Sequence, residues 1–279
     1  MRPRMASQSP PMAVIAVVNR KGGSGKSTLA THLAAHYAGC GVAVMLGDVD
    51  RQQSTQAWLR QRAARHLPHS APIVGWAVDP KRVLRPPAGV RHIVLDTPGG
   101  LRGFDLARVA AFADAIVMPV CNSPFDRESA AECHAELMAL PRVASGRCKV
   151  VAVGMRIDGR TKGAAALEDW ARGLKLPFVG ALREAQAYVR TVEQGLTVFD
   201  LPPAQAGVHR AEWAALVEWL EPVLNTVHRP VLRPNPVVLS RPATVAMPLV
   251  VAPSQRRSGS RWAAAFGWLK MPLFQQRVT

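Results

Sequence analysis

The chain has 279 residues, of which 48% are hydrophobic and 19% charged, a composition typical of a globular protein with a full core. No run of about 18 apolar residues occurs, so we expect no membrane-spanning helix, and the basic segment 1–11 lacks the apolar core of a secretory signal. The four cysteines have no C-x-x-C spacing, which predicts reduced thiols in a cytoplasmic protein.

The net charge of +16 is unevenly distributed. Residues 226–279 contain seven arginines and one lysine with no acidic residue, and residues 1–11 contain two arginines, which leaves +6 for residues 12–225. Such a charge favours nucleic acid or an anionic membrane surface as a partner. Solubility alone is the other interpretation.

The first apolar run, residues 14–18, leads into the sequence Asn-Arg-Lys-Gly-Gly-Ser-Gly-Lys-Ser-Thr at 19–28. The β-branched run predicts a buried strand. The glycines let backbone N–H groups surround an anion, and a helix that begins at Gly25 adds the positive end of its dipole. The pattern predicts a phosphate-binding loop in which Lys26 contacts the β- and γ-phosphates and Ser27 binds Mg²⁺.

This loop departs from the common pattern G-x-x-x-x-G-K-[ST], because Arg20 replaces the first glycine and Lys21 adds a second lysine. The form K-G-G-S-G-K-S-T resembles the deviant loop of the ParA/MinD family of ATPases. The resemblance implies that ATP and Mg²⁺ are the cofactors and that the nucleotide is held by Lys21, Gly22, Gly23, Ser24, Gly25, Lys26, Ser27 and Thr28.

A second predicted strand, 42–46, leads to Asp48 and Asp50. Carboxylates at this end of a strand lie where open α/β sheets bind their ligands. The family has a similar D-x-D-x-x-Q stretch after its second strand. That resemblance implies that Asp50 orients the attacking water and that Asp48 supports Mg²⁺ through solvent. The family usually has proline where Arg51 stands, so the local loop shape is open.

The next major predicted strand, 90–95, ends at Asp96. An aspartate at the end of an apolar strand is typical of the Mg²⁺-supporting carboxylate of phosphate-loop ATPases. Gly99 and Gly100 follow it and free the backbone to respond to a γ-phosphate, which makes this segment a candidate switch.

The remaining pattern alternates between strands and helices up to residue 225. This alternation predicts one α/β domain over residues 12–225, a mostly parallel doubly wound sheet flanked by helices in the manner of a P-loop NTPase. His32 and His36 are predicted to be ordinary helix-surface residues. Arg60, Arg62 and Arg65 are predicted to point mostly outward. Besides those above, the predicted strands are 73–78, 115–120, 150–155 and 177–182, and the predicted helices are 29–39, 54–66, Ser123 to Leu140, 162–174 and 211–224, the last with Trp213, Leu216, Val217 and Leu220 buried.

Three further features follow along the chain. Met155 stands near the place where many relatives have an asparagine that reads adenine. We assign Arg183, just beyond the last predicted strand, to the nucleotide site. We also consider Arg183 and Arg190 as DNA contacts, ahead of Arg172 and Lys175. The stretch 193–200 resembles the late E-x-G-x-x-x-x-D stretch of the family.

The termini have a different composition. Residues 1–11 are predicted to be a disordered N-terminus, and residues 226–279 a flexible, basic, proline-rich tail. Within the tail, segment 261–274 places Trp262, Phe266, Leu269 and Leu273 at helical spacing, which resembles a short amphipathic membrane anchor.

The family resemblance implies a slow, partner-stimulated ATPase that dimerises on ATP, with Lys21 reaching the partner's phosphates. Two functions remain open. The first is a ParA-like ATPase that binds nonspecific DNA and positions a plasmid, chromosome or other cargo with a ParB-like or other activating partner. The second is a MinD-like ATPase that cycles on a membrane surface through the tail. An iron–sulfur reductase is disfavoured because no cysteine lies between Asp96 and Cys121; an amidating ligase is equally unsupported.

Overall fold

A computed structural model describes residues 12–50, 52–67, 69–77, 87 and 89–226. Outside these residues lie the predicted N-terminal segment 1–11, Arg51, and the predicted tail with its amphipathic segment 261–274. The boundaries proposed for the ATPase domain therefore stay a prediction.

In the described part of the chain, seven strands form one parallel sheet in the order β3-β2-β4-β1-β5-β6-β7. Four central strands are buried at every position, as expected for β-branched runs covered on both faces. The predicted parallel sheet is confirmed. The strands are β1 (Ala13–Val17), β2 (Val44–Asp48), β3 (Ile73–Ala77), β4 (His92–Asp96), β5 (Ala115–Val120), β6 (Lys149–Ile157) and β7 (Phe178–Arg183).

Helices cover both faces of the sheet. One apolar cluster includes Leu106, Leu137 and Leu167, and the other includes Leu33 and Leu216 on the opposite face. The helices are α1 (Lys26–Gly39), α2 (Ser54–Ala63), α3 (Gly103–Phe112), α4 (Pro124–Met138), α5 (Pro141–Ala144), α6 (Gly163–Gly173), α7 (Gln186–Glu193) and α8 (Pro203–Thr226), with a short 3-10 turn at Val198–Asp200.

Two predicted helices have the expected local chemistry. The Ser123 hydroxyl accepts a hydrogen bond from the Asp126 backbone N–H at 3.2 Å and caps α4. In α8, Trp213, Leu216 and Leu220 are fully buried, as predicted, but Val217 is only partly buried. The helix begins well before the predicted residue 211, because it starts at Pro203, where proline fits the first turn.

The surface position predicted for His32 is wrong, because its side chain is fully buried under α8. The ring stacks on Trp213 with 5.3 Å between centroids. Nδ1 lies 2.8 Å from the Thr28 carbonyl, and Nε2 accepts from the Val198 N–H at 3.3 Å. A neutral ring protonated on Nδ1 satisfies both contacts, and burial lowers the His32 pKa to about 4.

The outward position predicted for Arg62 is also wrong. Its guanidinium forms two hydrogen bonds to the Asp200 carboxylate at 2.8 and 2.9 Å, and both side chains are almost fully buried. This pair holds α2 against the late stretch of the chain. Helix periodicity predicted an outward position for Arg62, but a segment more than 130 residues away along the chain covers that face of α2.

The carboxyl ends of the parallel strands lie at one edge of the sheet, with β1 between β4 and β5. The chain leaves β1 toward β2 on one side and later returns to β5 on the other. Open α/β sheets bind ligands at such a reversal of strand order. Among the described helices, none combines the length and apolar character needed to cross a bilayer.

Candidate nucleotide site

The loop after β1 has the backbone needed to surround an anion. Gly23 and Gly25 adopt positive φ angles of 73° and 94°, which side-chain-bearing residues rarely adopt. The buried Asn19 side chain donates to the Pro119 carbonyl of β5 at 2.6 Å and accepts from the Lys21 N–H at 3.0 Å. Asn19, which the sequence analysis did not single out, therefore attaches the start of the loop to the sheet.

Lys26 lies inside the loop at the start of α1 and is only 7% exposed. Its Nζ donates to the Lys21 carbonyl at 2.8 Å. Burial lowers the Lys26 pKa, while the carboxylates of Asp96 and Asp50 raise it. The ammonium is thus held at the loop centre, within the backbone that would surround a phosphate.

Two buried hydroxyl and carboxyl groups at the loop have unused hydrogen-bonding capacity. The Ser24 Oγ and both Asp96 carboxylate oxygens make no hydrogen bond of good geometry in the described part of the chain. Burial raises the Asp96 pKa to about 7, and the nearby Ser27 hydroxyl and Lys26 ammonium oppose that rise. Unsatisfied buried oxygens need an explanation, and a phosphate with a hydrated Mg²⁺ would satisfy them.

Asp48 ends β2 beside Asp96 and shapes the following loop. Its Oδ1 accepts from the Asp50 N–H at 3.0 Å. Its Oδ2 accepts from the Thr55 N–H at 3.0 Å and from the Thr55 hydroxyl at 2.6 Å. Asp50 accepts from the Gln52 N–H at 3.0 Å and stays partly exposed. The structure brings Asp48, Asp50 and Asp96 together around the lysine of the loop.

Lys21 lies at the mouth of the loop, with its side chain 39% exposed. Its Nζ is 2.7 Å from Asp126 Oδ1 at the first turn of α4. Burial raises the Asp126 pKa, but the contacts from Lys21 and Ser123 outweigh it and hold the pKa below its usual range. Lys21 is therefore close to a carboxylate and also open to solvent.

The segment after β4 closes over the loop. The Thr97 hydroxyl donates to the Val17 carbonyl at 2.7 Å. Gly100 donates its N–H to the Arg20 carbonyl at 2.5 Å. A Cβ on Gly99 would lie 3.3 Å from the Gly22 backbone, so the two glycine segments pack backbone against backbone. The candidate switch thus touches the candidate phosphate loop directly.

Arg183 and Met155, which the sequence placed near the nucleotide, lie in different surroundings. Arg183 ends β7, and its guanidinium pairs with Glu212 of α8, which also accepts the Arg183 N–H at 3.3 Å. The structure therefore directs Arg183 toward α8. Met155 is buried, and a Cβ on Gly25 would lie 2.6 Å from its Cε. An apolar side chain thus packs against the start of α1.

Together, the parallel sheet and this loop define a nucleotide-binding protein of the P-loop class. A family model described as the CobQ/CobB/MinD/ParA nucleotide binding domain matches residues 15–199. The chain therefore belongs to the ParA/MinD family of P-loop ATPases.

Three relatives indicate the breadth of this similarity. The maintenance of carboxysome distribution protein A of Gloeobacter kilaueensis is 30% identical over 212 residues, which cover 75% of this chain and 94% of that protein. The chromosome-partitioning ATPase Soj of Thermus thermophilus is 30% identical over 217 residues, 64% of this chain and 87% of that protein. A McdA–ATP complex from Cyanothece has a TM-score of 0.55 at 14% identity, over 75% and 97% of the two chains, which shows a shared fold.

Proposed function

We propose that this chain is a ParA-like ATPase that dimerises on ATP, binds DNA nonspecifically and positions or partitions a cargo through partner-stimulated hydrolysis. The observation that carries the proposal is the position of Lys21. This second lysine of the loop is half-exposed at the mouth of the site, where it can contact a nucleotide bound to another copy of the chain. The names of the relatives, which refer to carboxysome distribution and chromosome partitioning, support positioning as the outcome.

Within one copy, the loop backbone, Ser24 and Thr28 bind the phosphates and Lys26 neutralises their charge. Ser27, with Asp96 and Asp48 acting through water, would hold Mg²⁺, which would offset charge on the β- and γ-phosphates. Asp50 orients the attacking water from its partly exposed position. Lys21 of the second copy supplies a positive charge in trans, as an arginine finger does.

Ion pairs on the surface reduce the number of candidate DNA-contacting residues. Arg183 pairs with Glu212, and Arg172 pairs with Glu168 and Asp169, so both arginines have acidic neighbours that weaken their attraction for phosphate. Arg190 on α7 and Lys175 are exposed. We therefore place the first DNA contacts at Arg190 and Lys175.

Binding of a fluorescent duplex, measured at several salt concentrations with ATP and with ADP, tests the proposal. We expect binding only with ATP, with a log–log salt slope of about −0.9 per phosphate contacted. Lys21→Ala should retain ATP binding but lose both DNA binding and the ATP-dependent dimer seen by light scattering. Arg160→Ala is a matched control for Arg190→Ala, because Arg160 is exposed but paired with Asp158 at 2.8 Å.

Each contradictory result has its own meaning. Equal DNA binding with ATP and with ADP would refute ATP-dependent DNA binding. A Lys21→Ala variant that still dimerises on ATP would refute the role of Lys21. Absence of DNA binding together with ATP-dependent sedimentation on anionic vesicles would replace DNA by the membrane of the MinD-like alternative. That alternative depends on segment 261–274, which lies outside the described residues.

A further inference from the structure

Arg20 occupies the position of the first glycine of a common phosphate loop and contacts two separate segments. Its Nη1 donates to Glu132 Oε2 at 2.9 Å, and its Nη2 donates to Glu136 Oε2. Its backbone carbonyl accepts from Gly100 at 2.5 Å. Arg20 therefore joins the phosphate loop both to α4 and to residues 97–102, which we call the switch loop.

Glu136 extends this connection to α3. Its other carboxylate oxygen, Oε1, accepts from the backbone N–H of Gly103, the first residue of α3, at 2.5 Å. The switch loop is thus attached to Arg20 directly at Gly100, and the start of α3 is attached to Arg20 at Gly103 through Glu136. Gly99 also packs on the Gly22 backbone. A displacement of the phosphate loop must therefore move the switch loop or break these contacts.

The chemistry of this bridge requires an arginine. Glu132 and Glu136 are one turn apart on α4, where like charges repel. A guanidinium presents separate N–H groups in a planar fork, so Arg20 can bond both carboxylates at once, which the single ammonium of lysine does less well. Both ion pairs are partly exposed, and such pairs contribute only about 0–1 kcal/mol to stability. The bridge therefore contributes more to the relative positions of the segments than to stability.

We propose that Arg20 is a positioning residue whose side chain couples the phosphate loop, through Glu136, to the start of α3 and to the face of α4. Nucleotide binding in the loop then shifts these helices, which are the surfaces that a second copy or an activating partner can sense. The proposal rests on the nucleotide binding proposed above. The physical basis is one continuous chain of polar contacts rather than proximity alone.

Hydrogen exchange of the full chain, with and without Mg·ATPγS, tests this coupling directly. Four proteins are compared: wild type, Arg20→Gln, Glu136→Gln, and the control Arg142→Gln. Arg142 pairs with Asp114 at 3.0 Å near the opposite edge of the sheet, and its side chain is 25% exposed against 20% for Arg20. The control therefore loses a comparable ion pair far from the loop.

We expect all four proteins to bind ATPγS within about threefold of one another, because none of these side chains is assigned to the phosphates. In wild type and Arg142→Gln, nucleotide should slow exchange over 97–103 and α4 by about fivefold or more. In Arg20→Gln and Glu136→Gln this response should fall below about twofold at Gly103 and over α4, whereas residues 97–100 should keep it, because the bond from Gly100 to the Arg20 backbone carbonyl survives both substitutions. A purely structural role would change basal exchange but not its response to nucleotide.

A wild-type nucleotide response at Gly103 and over α4 in both Arg20→Gln and Glu136→Gln would overturn the coupling. A loss of affinity beyond about tenfold in Arg20→Gln would also overturn it, because Arg20 would then be a binding residue. Glu136→Gln removes the same bridge from the α4 side and keeps the test valid if Arg20→Gln folds poorly. Failure of wild type itself to bind ATPγS would instead refute the proposed nucleotide site, and the wild-type arm alone reveals that result.

Discussion

The ends of β2 and β4 place two aspartates side by side in opposite environments. Asp48 and Asp96 are in register across the sheet, and each is only 1% exposed. Asp48 accepts three hydrogen bonds from the loop that follows it, whereas neither oxygen of Asp96 has a well-formed hydrogen bond in the described part of the chain. Because buried polar groups are normally satisfied, Asp48 uses most of its acceptor sites to organise the loop and keeps room for one water, whereas Asp96 has all of its acceptor sites left for a ligand.

Paired substitutions should separate these two roles with the largest effect. Asp48→Asn replaces one acceptor oxygen by an NH₂ group that faces bound donors, so it should lower the free energy of unfolding by about 3 kcal/mol or more. Asp96→Asn removes a buried carboxylate whose pKa is raised to about 7, so at pH 8 without nucleotide it should leave the free energy of unfolding unchanged or raise it. Urea unfolding at pH 8 measures both. Equal losses in the two variants would mean that the environments do not differ as described.

His32 extends the comparison to a second fully satisfied buried group. Protonation would place a proton on Nε2, where the Val198 N–H already donates, so the fold favours the neutral ring. Below pH 6.5 the histidine is protonated in the unfolded state, whereas in the folded state it stays neutral down to about pH 4. The contribution of His32 to the free energy of unfolding should therefore fall by about 3 kcal/mol as the pH drops from 6.5 to 4, and it is fully present above pH 6.5.

The check is unfolding of His32→Gln against pH, with the exposed His66→Gln as the control. Between pH 6.5 and 4, the free energy of unfolding of wild type should fall relative to that of His32→Gln, whereas His66→Gln should follow wild type. If His32→Gln retains the wild-type slope, the histidine is not the source of the pH dependence.

A smaller change sharpens the role of Asp48. Thr55→Val removes the hydroxyl that donates to Asp48 at 2.6 Å but keeps the shape and the backbone N–H bond. We expect a loss of about 1–2 kcal/mol in the free energy of unfolding, intermediate between Asp48→Asn and Asp96→Asn. The same urea titrations measure it, and an unchanged midpoint would show that the hydroxyl does not support the carboxylate.

Local pattern was sufficient to predict the glycine-rich loop and much of the fold. Glycine spacing, the lysine-hydroxyl pair and the apolar run before them predicted the loop, and β5 was predicted with its observed bounds, 115–120. Parallel alternation then placed Asp48 and Asp96 at one edge. These features depend on neighbours within a few residues, which a sequence displays directly.

Other features depended on distant partners or on a weak local signal. Arg62 and His32 are buried by segments more than 130 residues away, so their own helices could not indicate it. Helix α3 was missed although Leu106, Val109 and Ala110 have helical spacing and Asp105 lies in its first turn. The Arg20 bridge could not be predicted, because charged pairs across a fold leave no periodic pattern.

The central claim is that the loop 19–28 binds the phosphates of ATP, and isothermal titration of Mg·ATP into wild type and Lys26→Ala tests it most directly. Lys26 supplies the buried cation of the loop, so its removal should weaken binding by about 100-fold or more while circular dichroism stays unchanged. Saturable binding by wild type and its loss in Lys26→Ala is the predicted result. Equal affinity of the two proteins for Mg·ATP would contradict the assignment of the site.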